Sequence, residues 1–265
     1  MARAAQRYAR AMFEPDGFNL RWIAHRGGGD AAPENTLAAF HAGYAAGFRA
    51  FECDVRLSAD GVPFLLHDAT LARTTDARGA AAGRRWADLR KLDAGAWYGA
   101  RFRGEALASL DAVLDFAAAR RVWLNLELKP APGAVTRTGV VVATRVARWL
   151  REHPRVPAPL LSSFSPRALR AARVALAQRQ TQLPLALLCA HYDARVLRSA
   201  CALGASALHL HWRALSAARV RTIHDAGLAL RVYTVNRAPT AARLLAAGVA
   251  GMFTDRLELP PRVNA

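Results

Sequence analysis

Short apolar segments alternate with segments of helical spacing along nearly the whole of this 265-residue chain. The apolar segments have the length of buried strands, and the segments between them place apolar residues three or four positions apart. About eight main strands are predicted, each followed by a helix except the last, and this is the number that closes a TIM barrel. The fold class indicated is therefore α/β, with a parallel sheet closed into a (β/α)8 TIM barrel.

The bounds of these segments can be assigned from the pattern. The predicted strands comprise residues 22–25, 50–57, 122–129, 159–164, 184–188, 207–211, 229–235 and 251–254. The predicted helices comprise residues 36–47, 109–120, 166–177, 194–203, 216–226 and 239–247. Asp60-Gly61 indicates a tight turn, so residues 62–66 are expected to fold back on the second strand as a hairpin arm. Residues 68–105, rich in Gly, Ala and Arg, interrupt the alternation and are predicted to be a small insertion after the second strand, within a single domain of residues 1–265.

An open, doubly wound sheet is the rival architecture. Such sheets place a glycine-rich G-x-G-x-x-G loop after the first strand, where it binds phosphates. The corresponding stretch here is His25-Arg26-Gly27-Gly28-Gly29, which is glycine-rich but begins with a His-Arg pair in a different register. The barrel is therefore favoured.

Acidic side chains lie at the ends of two predicted strands. Glu52 and Asp54 are two residues apart, and so are Glu127 and Lys129. Each pair shares one face of its strand, and the carboxyl ends of barrel strands surround one site. Carboxylates without Cys or His partners at ligand spacing favour a hard cation, so one divalent ion, Mg²⁺ or Ca²⁺, is expected at Glu52, Asp54 and Glu127. The alternative is that Glu127 pairs with Arg26 or Lys129 and no metal binds.

Two imidazoles and two cations adjoin the acids. His25 and His67 titrate near neutrality and are the predicted acid/base catalysts. Arg26 offers a bidentate fork and Lys129 a point charge, and both are predicted to bind a substrate phosphate. Acids for a metal, imidazoles for protons and cations for a phosphate together indicate phosphodiesterase chemistry.

The formal charge of +17 is carried almost entirely by arginine, since Lys91 and Lys129 are the only lysines. The arginines are dispersed, and no basic run is interleaved with aromatic residues, so a solvated surface is predicted and no nucleic-acid partner is expected. A basic surface could still attract anionic substrates or lipid headgroups.

The cysteine count and the apolar runs bear on location. The three cysteines, Cys53, Cys189 and Cys201, form no disulfide framework and no metal-ligand spacing. Residues 1–20 lack the uninterrupted apolar region of a secretory signal, and no run approaches the length that spans a bilayer. A cytoplasmic protein without stable membrane insertion is expected.

Several ordered motifs resemble those of the glycerophosphodiester phosphodiesterases. They are His25-Arg26-Gly27, Pro33-Glu34-Asn35-Thr36, Glu52-Cys53-Asp54-Val55, Asp60-Gly61, Leu66-His67-Asp68, Trp97-Tyr98, Gly104-Glu105, Glu127-Leu128-Lys129-Pro130, Ser162-Ser163-Phe164, Tyr233-Thr234-Val235-Asn236 and the segment from Gly248-Val249 to Thr254-Asp255. The resemblance extends from Trp22 to about Leu259, and it is strongest to the bacterial cytosolic enzymes associated with glycerol-3-phosphate uptake. Two departures are Ala108, where the family usually has Pro, and His211, where related cytosolic enzymes often have Asn.

The resemblance implies a TIM barrel with a small insertion and the hydrolysis of glycerophosphodiesters to an alcohol and sn-glycerol 3-phosphate. It assigns the metal to Glu52, Asp54 and Glu127. The acid/base roles fall to His25 and His67, and phosphate binding to Arg26 and Lys129. Glu34 and Asn35 are expected to shape the first loop.

The implied mechanism is attack by the free glycerol hydroxyl on phosphorus, with a cyclic phosphate that water then opens. One alternative is a phosphodiesterase that cleaves phospholipids or lysophospholipids on the same barrel. A more remote alternative is an inactive barrel that binds polyanions. The choice between Mg²⁺ and Ca²⁺, the leaving alcohol, the division of labour between the histidines and the oligomeric state are left open by the sequence.

Overall fold

The computed structural model describes residues 20–260, and within them nine strands form one sheet. The strands are β1 (Trp22–Ala24), β2 (Ala50–Leu57), β3 (Pro63–Leu65), β4 (Trp123–Leu128), β5 (Leu160–Ser163), β6 (Leu185–Cys189), β7 (Ala207–His211), β8 (Ala229–Tyr233) and β9 (Gly251–Thr254). All except β3 pair in parallel, and β1 pairs with both β2 and β9, so eight strands close into a barrel. The predicted TIM barrel is confirmed.

The predicted hairpin arm is also present. β3 pairs with β2 in antiparallel register, with Val55 opposite Leu65 and Leu57 opposite Pro63. Gly61 adopts φ 87° in the turn between the two strands, a conformation that glycine takes at low cost. The arm therefore extends β2 beyond the barrel and leads the chain into the insertion.

Helices cover the outside of the barrel. They are α1 (Leu37–Ala45), α3 (Leu110–Arg120), α4 (Val135–Glu152), α5 (Pro166–Ala177), α6 (Ala194–Ala202), α7 (Ala217–Asp225) and α8 (Ala238–Ala246), while the short α2 (Trp86–Leu89) lies in the insertion. Five of them begin after a side-chain oxygen that accepts a hydrogen bond from a backbone N–H of the first turn, a contact typically worth about 1 kcal/mol. These N-caps are Thr36, Ser109, Ser165, Asp193 and Ser216.

The sequence pattern gives no bounds for a helix between the third and fourth barrel strands, β4 and β5, where the structure has α4, of 18 residues. Its β-branched run and Gly139 are unfavourable for an isolated helix. Packing explains the glycine, because a Cβ at Gly139 would lie 2.2 Å from the carbonyl oxygen of Ala168 on α5. Tertiary contact with α5 therefore overrides the local propensity.

Successive side chains of each barrel strand point alternately into the barrel and outward to the helices. Ala50, Trp123 and Leu160 belong to an apolar cluster inside the barrel. Glu52 and Asp54 follow Ala50 at two-residue intervals, so they point inward above this cluster. The apolar floor thus leaves the carboxyl ends of the strands as the place where polar side chains meet.

The insertion has a small apolar cluster of its own, formed with the hairpin arm. It comprises Phe64, Leu66, Leu71, Ala81, Leu89, Ala94 and Leu107. The proposed single domain of residues 1–265 stays a prediction, because residues 1–19 and 261–265 lie outside the described part. The prediction about a secretory signal falls on the first of these segments. Among residues 20–260, no helix combines the length and the apolarity needed to cross a bilayer.

Candidate functional site

Three carboxylates meet at the carboxyl ends of β2 and β4. One oxygen from each of Glu52, Asp54 and Glu127 lies within 4.8 Å of the others, and all three side chains are buried. Register explains the convergence, because β2 and β4 are adjacent and Asp54 pairs with Glu127. The acid group predicted from the sequence is therefore present.

Two cations neutralise part of this charge. The Nζ of Lys129 lies 2.9 Å from Oε1 of Glu127 and 3.2 Å from Oδ1 of Asp54. Arg26 Nε lies 3.6 Å from Oδ2 of Asp54, while its Nη1 donates to Oε1 of Glu34 at 2.9 Å. The alternative without a metal ion predicts that Glu127 pairs with Arg26 or Lys129. The pair with Lys129 is observed, whereas Arg26 contacts Asp54 and Glu34.

The two cations do not stabilise the three carboxylates equally. Burial, followed by the charges of Asp54 and Glu127, raises the pKa of Glu52 well above its ordinary value. Burial would also raise the pKa of Asp54, but the charges of Lys129 and Arg26 outweigh it and lower that pKa. Two cations therefore stabilise one carboxylate fully and leave Glu52 in an environment that disfavours its charge.

Glu52 supplies the test of whether a metal ion fits. Its Oε2 accepts the backbone N–H of Arg26 at 2.9 Å, but its Oε1 is buried and has no hydrogen-bond partner. A buried carboxylate oxygen without a partner is costly unless a cation satisfies it. The donors are all oxygens, which suits a hard divalent cation. The group could therefore hold a metal ion.

His25 lies beside the acids and is oriented from the far end of the chain. Its Nδ1 lies 2.6 Å from Oδ1 of Asp255, and its Nε2 lies 3.8 Å from Oε2 of Glu52. Asp255 is itself fixed by Asn236, whose Nδ2 donates to Oδ2 at 2.7 Å. A carboxylate at Nδ1 makes that nitrogen the donor, so in the neutral imidazole Nε2 is the acceptor, and it is the nitrogen that faces the acid group.

His67 is arranged in the same way on the side of the insertion. Its Nδ1 lies 2.7 Å from Oδ1 of Asp68. Burial lowers the pKa of His67, and the charge of Asp54 opposes this. Arg56 holds the neighbouring backbone by donating to the carbonyl oxygens of His67 and Lys129. Both predicted histidines therefore have a carboxylate at Nδ1, which leaves Nε2 of each as the nitrogen available for proton transfer.

Glycines bring the first loop close enough to its neighbours to form the site. Gly29 adopts φ 56°, and a Cβ there would lie 2.1 Å from the carbonyl oxygen of Asp255. A Cβ at Gly28 would lie 2.7 Å from the carbonyl oxygen of Ala39 on α1. The run of glycines after Arg26 is thus required for packing, and it sets His25 against Asp255.

Comparison with known proteins identifies the family. The description "Glycerophosphoryl diester phosphodiesterase family" matches residues 25–259 of this chain. The chain belongs to this family. The predicted resemblance and the predicted class of enzyme are confirmed by this match and by the relatives described next.

Individual members of the glycerophosphodiester phosphodiesterase family are similar over most of their length. A glycerophosphodiester phosphodiesterase of Caldanaerobacter subterraneus subsp. tengcongensis is 30% identical, with 88% of this chain and 93% of that protein covered. A glycerophosphodiester phosphodiesterase of Bacillus subtilis is 29% identical, with 96% and 88% covered. A phosphodiesterase of Oleispira antarctica, solved in complex with the product sn-glycerol-3-phosphate, is 31% identical with a TM-score of 0.81, covering 90% of this chain and 94% of that one.

The structure adds residues to the site that sequence analysis did not assign to it. Asn35 bridges to Asp54, donating from Nδ2 to Oδ2 at 2.8 Å and accepting the Asp54 backbone N–H at 3.0 Å. Asp255 and Asn236 hold His25, and Asp68 holds His67. All four lie in motifs that carry the family resemblance, and these motifs are the sequence signal that marks them as candidates. Their contacts could not be read from spacing.

Proposed function

We propose that this protein hydrolyses small glycerophosphodiesters to an alcohol and sn-glycerol 3-phosphate. The observation that carries the proposal is the convergence of three buried carboxylates from adjacent barrel strands, flanked by two cations and two carboxylate-backed histidines. The relative solved with sn-glycerol-3-phosphate supports the same product class. Location in the cytoplasm and the absence of a nucleic-acid partner belong to this proposal as well.

Glu52, Asp54 and Glu127 would hold one divalent cation, Mg²⁺ or Ca²⁺. When bound, such a cation supplies Lewis-acid stabilisation of the charge on the phosphoryl oxygens. Arg26 and Lys129 bind the same phosphate, because both stand beside these acids with positive charge. Burial opposes the charge of Lys129, but Asp54 and Glu127 outweigh it and raise its pKa, so its ammonium persists at neutral pH.

The two histidines move the protons. The free glycerol hydroxyl attacks phosphorus and gives its proton to one imidazole, while the bond from phosphorus to the departing alcohol oxygen breaks and that oxygen takes a proton from the other imidazole. Water then opens the resulting cyclic phosphate with the protons moving in the reverse sense. We assign the first role to His25, which lies 3.8 Å from Glu52, and the second to His67, which borders the insertion.

Chelation tests the proposed function directly. We expect EDTA to lower the release of glycerol 3-phosphate from glycerophosphocholine about 100-fold or more, because the Lewis acid is worth several kcal/mol. Mg²⁺ or Ca²⁺ should restore it, and whichever ion binds should raise the melting temperature by about 5 °C at 100 times its dissociation constant. The measurement is a coupled glycerol 3-phosphate assay, with added glycerol 3-phosphate as the control for the coupling enzymes. Full release in EDTA, with a melting temperature that neither ion changes, would contradict the proposal.

Asp255 offers a second test, through the tautomer of His25. Replacing Asp255 with Asn should lower kcat about 100-fold with little change in KM, because the amide can turn its NH2 towards Nδ1 and reverse the imidazole. Replacing the exposed Asp225 with Asn is the matched control, and it should leave kcat unchanged. Equal kcat in the two variants would remove the His25–Asp255 pair from the mechanism.

Two exposed aromatic residues favour a second candidate function, the cleavage of lysophospholipids. Phe164, which directly follows β5, is 47% exposed and Trp97 in the insertion is 41% exposed. The Phe164 ring centroid lies 5.9 Å from Nζ of Lys129, so this exposed ring adjoins the site. Comparing glycerophosphocholine with lysophosphatidylcholine as substrates decides between the candidates. Faster turnover of the lipid by the wild-type protein, lost on replacement of Phe164 with Ser, would favour the second.

A further inference from the structure

Arg73 lies at the start of the insertion and connects two acids from different parts of the chain. Its Nη1 and Nη2 donate to the two carboxylate oxygens of Glu34, each at 2.7 Å. Its Nε and Nη2 donate to the two carboxylate oxygens of Asp68, at 2.7 and 3.1 Å. One guanidinium therefore makes two forked contacts, one with each carboxylate.

Each of these carboxylates also contacts a residue of the site. Glu34 accepts a hydrogen bond from Nη1 of Arg26 at 2.9 Å. Asp68 accepts one from Nδ1 of His67 at 2.7 Å. An unbroken chain of ion pairs thus runs from Arg26 through Glu34, Arg73 and Asp68 to His67. It joins the first loop, which follows β1, to the segment that follows β3.

Stability alone does not account for this arrangement. The Arg73 side chain is 42% exposed although Glu34 is only 13% exposed, so screening by water limits what these contacts add to the free energy of folding. Their geometry can still be specific, because a planar guanidinium fixes the orientation of each carboxylate that it grips at two points. A lysine ammonium at the same position would carry the charge without this fork.

We propose that Arg73 is a positioning residue, which sets the orientation of His67 relative to Arg26 through Asp68 and Glu34. The proposal rests on the proposed functions of His67 in proton transfer and Arg26 in phosphate binding. A phosphate held by Arg26 then lies at a fixed angle to Nε2 of His67. Misplacement of such groups by about 1 Å costs roughly 100-fold in rate.

Replacing Arg73 with Lys tests the fork while keeping the charge. We expect kcat for glycerophosphocholine to fall about 10- to 100-fold, as is usual when a residue behind a catalytic group is changed. KM should change less than kcat, because Lys129 and Arg26 are still present to bind the phosphate. Arg148, an exposed arginine that donates to Glu152 at 2.9 Å on α4, provides the matched control. Replacing Arg148 with Lys should leave both parameters unchanged, and wild-type kcat in the Arg73 variant would overturn the proposal.

A mutant cycle separates positioning from a general loss of structure. Glu34→Gln and Asp68→Asn are each made alone and together, first in the wild-type chain and then in the Arg73→Gln background. In the wild-type chain we expect the double variant to lose less kcat/KM than the product of the two single losses, because both act on the same guanidinium. In the Arg73→Gln background the two losses should multiply. Multiplicative losses in both backgrounds would show that Arg73 does not couple Glu34 to Asp68, and would overturn the proposal.

Failure of this inference can be told from failure of the proposed function. If His67→Ala lowers kcat strongly while Arg73→Lys does not, the function of His67 stands and that of Arg73 is wrong. If His67→Ala retains wild-type turnover, both are overturned. Thermal unfolding of every variant, compared with the wild type, shows whether a loss of activity comes from unfolded protein.

Discussion

Replacing Glu52 with Gln is expected to remove nearly all turnover while making the metal-free protein more resistant to unfolding. Activity should fall about 1000-fold or more, since one of three cation ligands is lost and each 1.4 kcal/mol is a factor of ten. Stability should rise by about 1 kcal/mol or more, because the substitution removes one of three carboxylates that lie within 4.8 Å of one another and leaves no buried carboxylate oxygen without a partner at this position. Thermal unfolding in EDTA and the coupled assay with metal measure the two effects.

The gain in stability should depend on pH. Burial and the neighbouring acids raise the pKa of Glu52 in the folded, metal-free protein above its value in the unfolded chain. The folded state then binds more protons than the unfolded state, so the free energy of unfolding of the wild type decreases as pH rises above the ordinary range of a glutamate. The Gln variant lacks this contribution, and its advantage should be larger at pH 8 than at pH 5.

A matched substitution separates this effect from a general gain on removing acid charge. Glu152 is exposed at the end of α4, where the hydrogen bond from Arg148 lowers its pKa, so replacing it with Gln should leave activity unchanged and should not alter the pH dependence of unfolding between pH 5 and pH 8. A Glu52→Gln variant that is less stable than the wild type in EDTA would show that the acids of the site are not in mutual repulsion.

The acid group could be predicted without coordinates because it depends on two simple regularities. The period of two along a strand puts Glu52 on the same face as Asp54, and the closed parallel barrel brings the end of β4 beside the end of β2. Neither step needs the conformation of a loop. The bounds of β2, predicted as residues 50–57, agree with the structure for the same reason.

The residues that orient the histidines could not be predicted in this way. Asp255 lies 230 positions from His25, and the contact depends on how the first loop packs against the end of β9. That loop contains Arg26 at φ 53° and Asn35 at φ 60°, left-handed conformations that no hydrophobic period indicates. Non-glycine residues in such conformations concentrate at functional sites, where the surrounding contacts maintain them.

The same limit applies to the insertion. Its composition indicates an interruption after the second strand, but not that its first turn places Arg73 between Glu34 and Asp68. An exposed arginine in an arginine-rich chain has no distinguishing sequence pattern. The function proposed for Arg73 therefore depends on its side-chain contacts and cannot be inferred from composition.

Replacing His67 with Ala should lower kcat about 1000-fold for glycerophosphocholine, with KM changed far less, because general acid catalysis contributes about 10² to 10⁴ in rate. If His67 protonates the departing alcohol, the loss in kcat/KM, which reports the steps up to departure of the alcohol, should shrink to about 10-fold for a diester whose leaving group is p-nitrophenol, which departs without protonation. His25→Ala should show no such rescue, since the attacking hydroxyl is the same in both substrates. Replacing the exposed His191 with Ala is the matched control and should leave both rates unchanged.

The contrast between the two histidines follows from their surroundings. His25 Nε2 lies 3.8 Å from Oε2 of Glu52, on the side of the acid group where we place the attacking hydroxyl. The side chain of His67 is 34% exposed and adjoins the insertion, so a departing alcohol can leave past it. A bound phosphodiester anion adds the negative charge that favours its protonated form. Equal losses on both substrates for His67→Ala, together with rescue of His25→Ala by the aryl diester, would reverse the assignment while leaving both histidines in the mechanism.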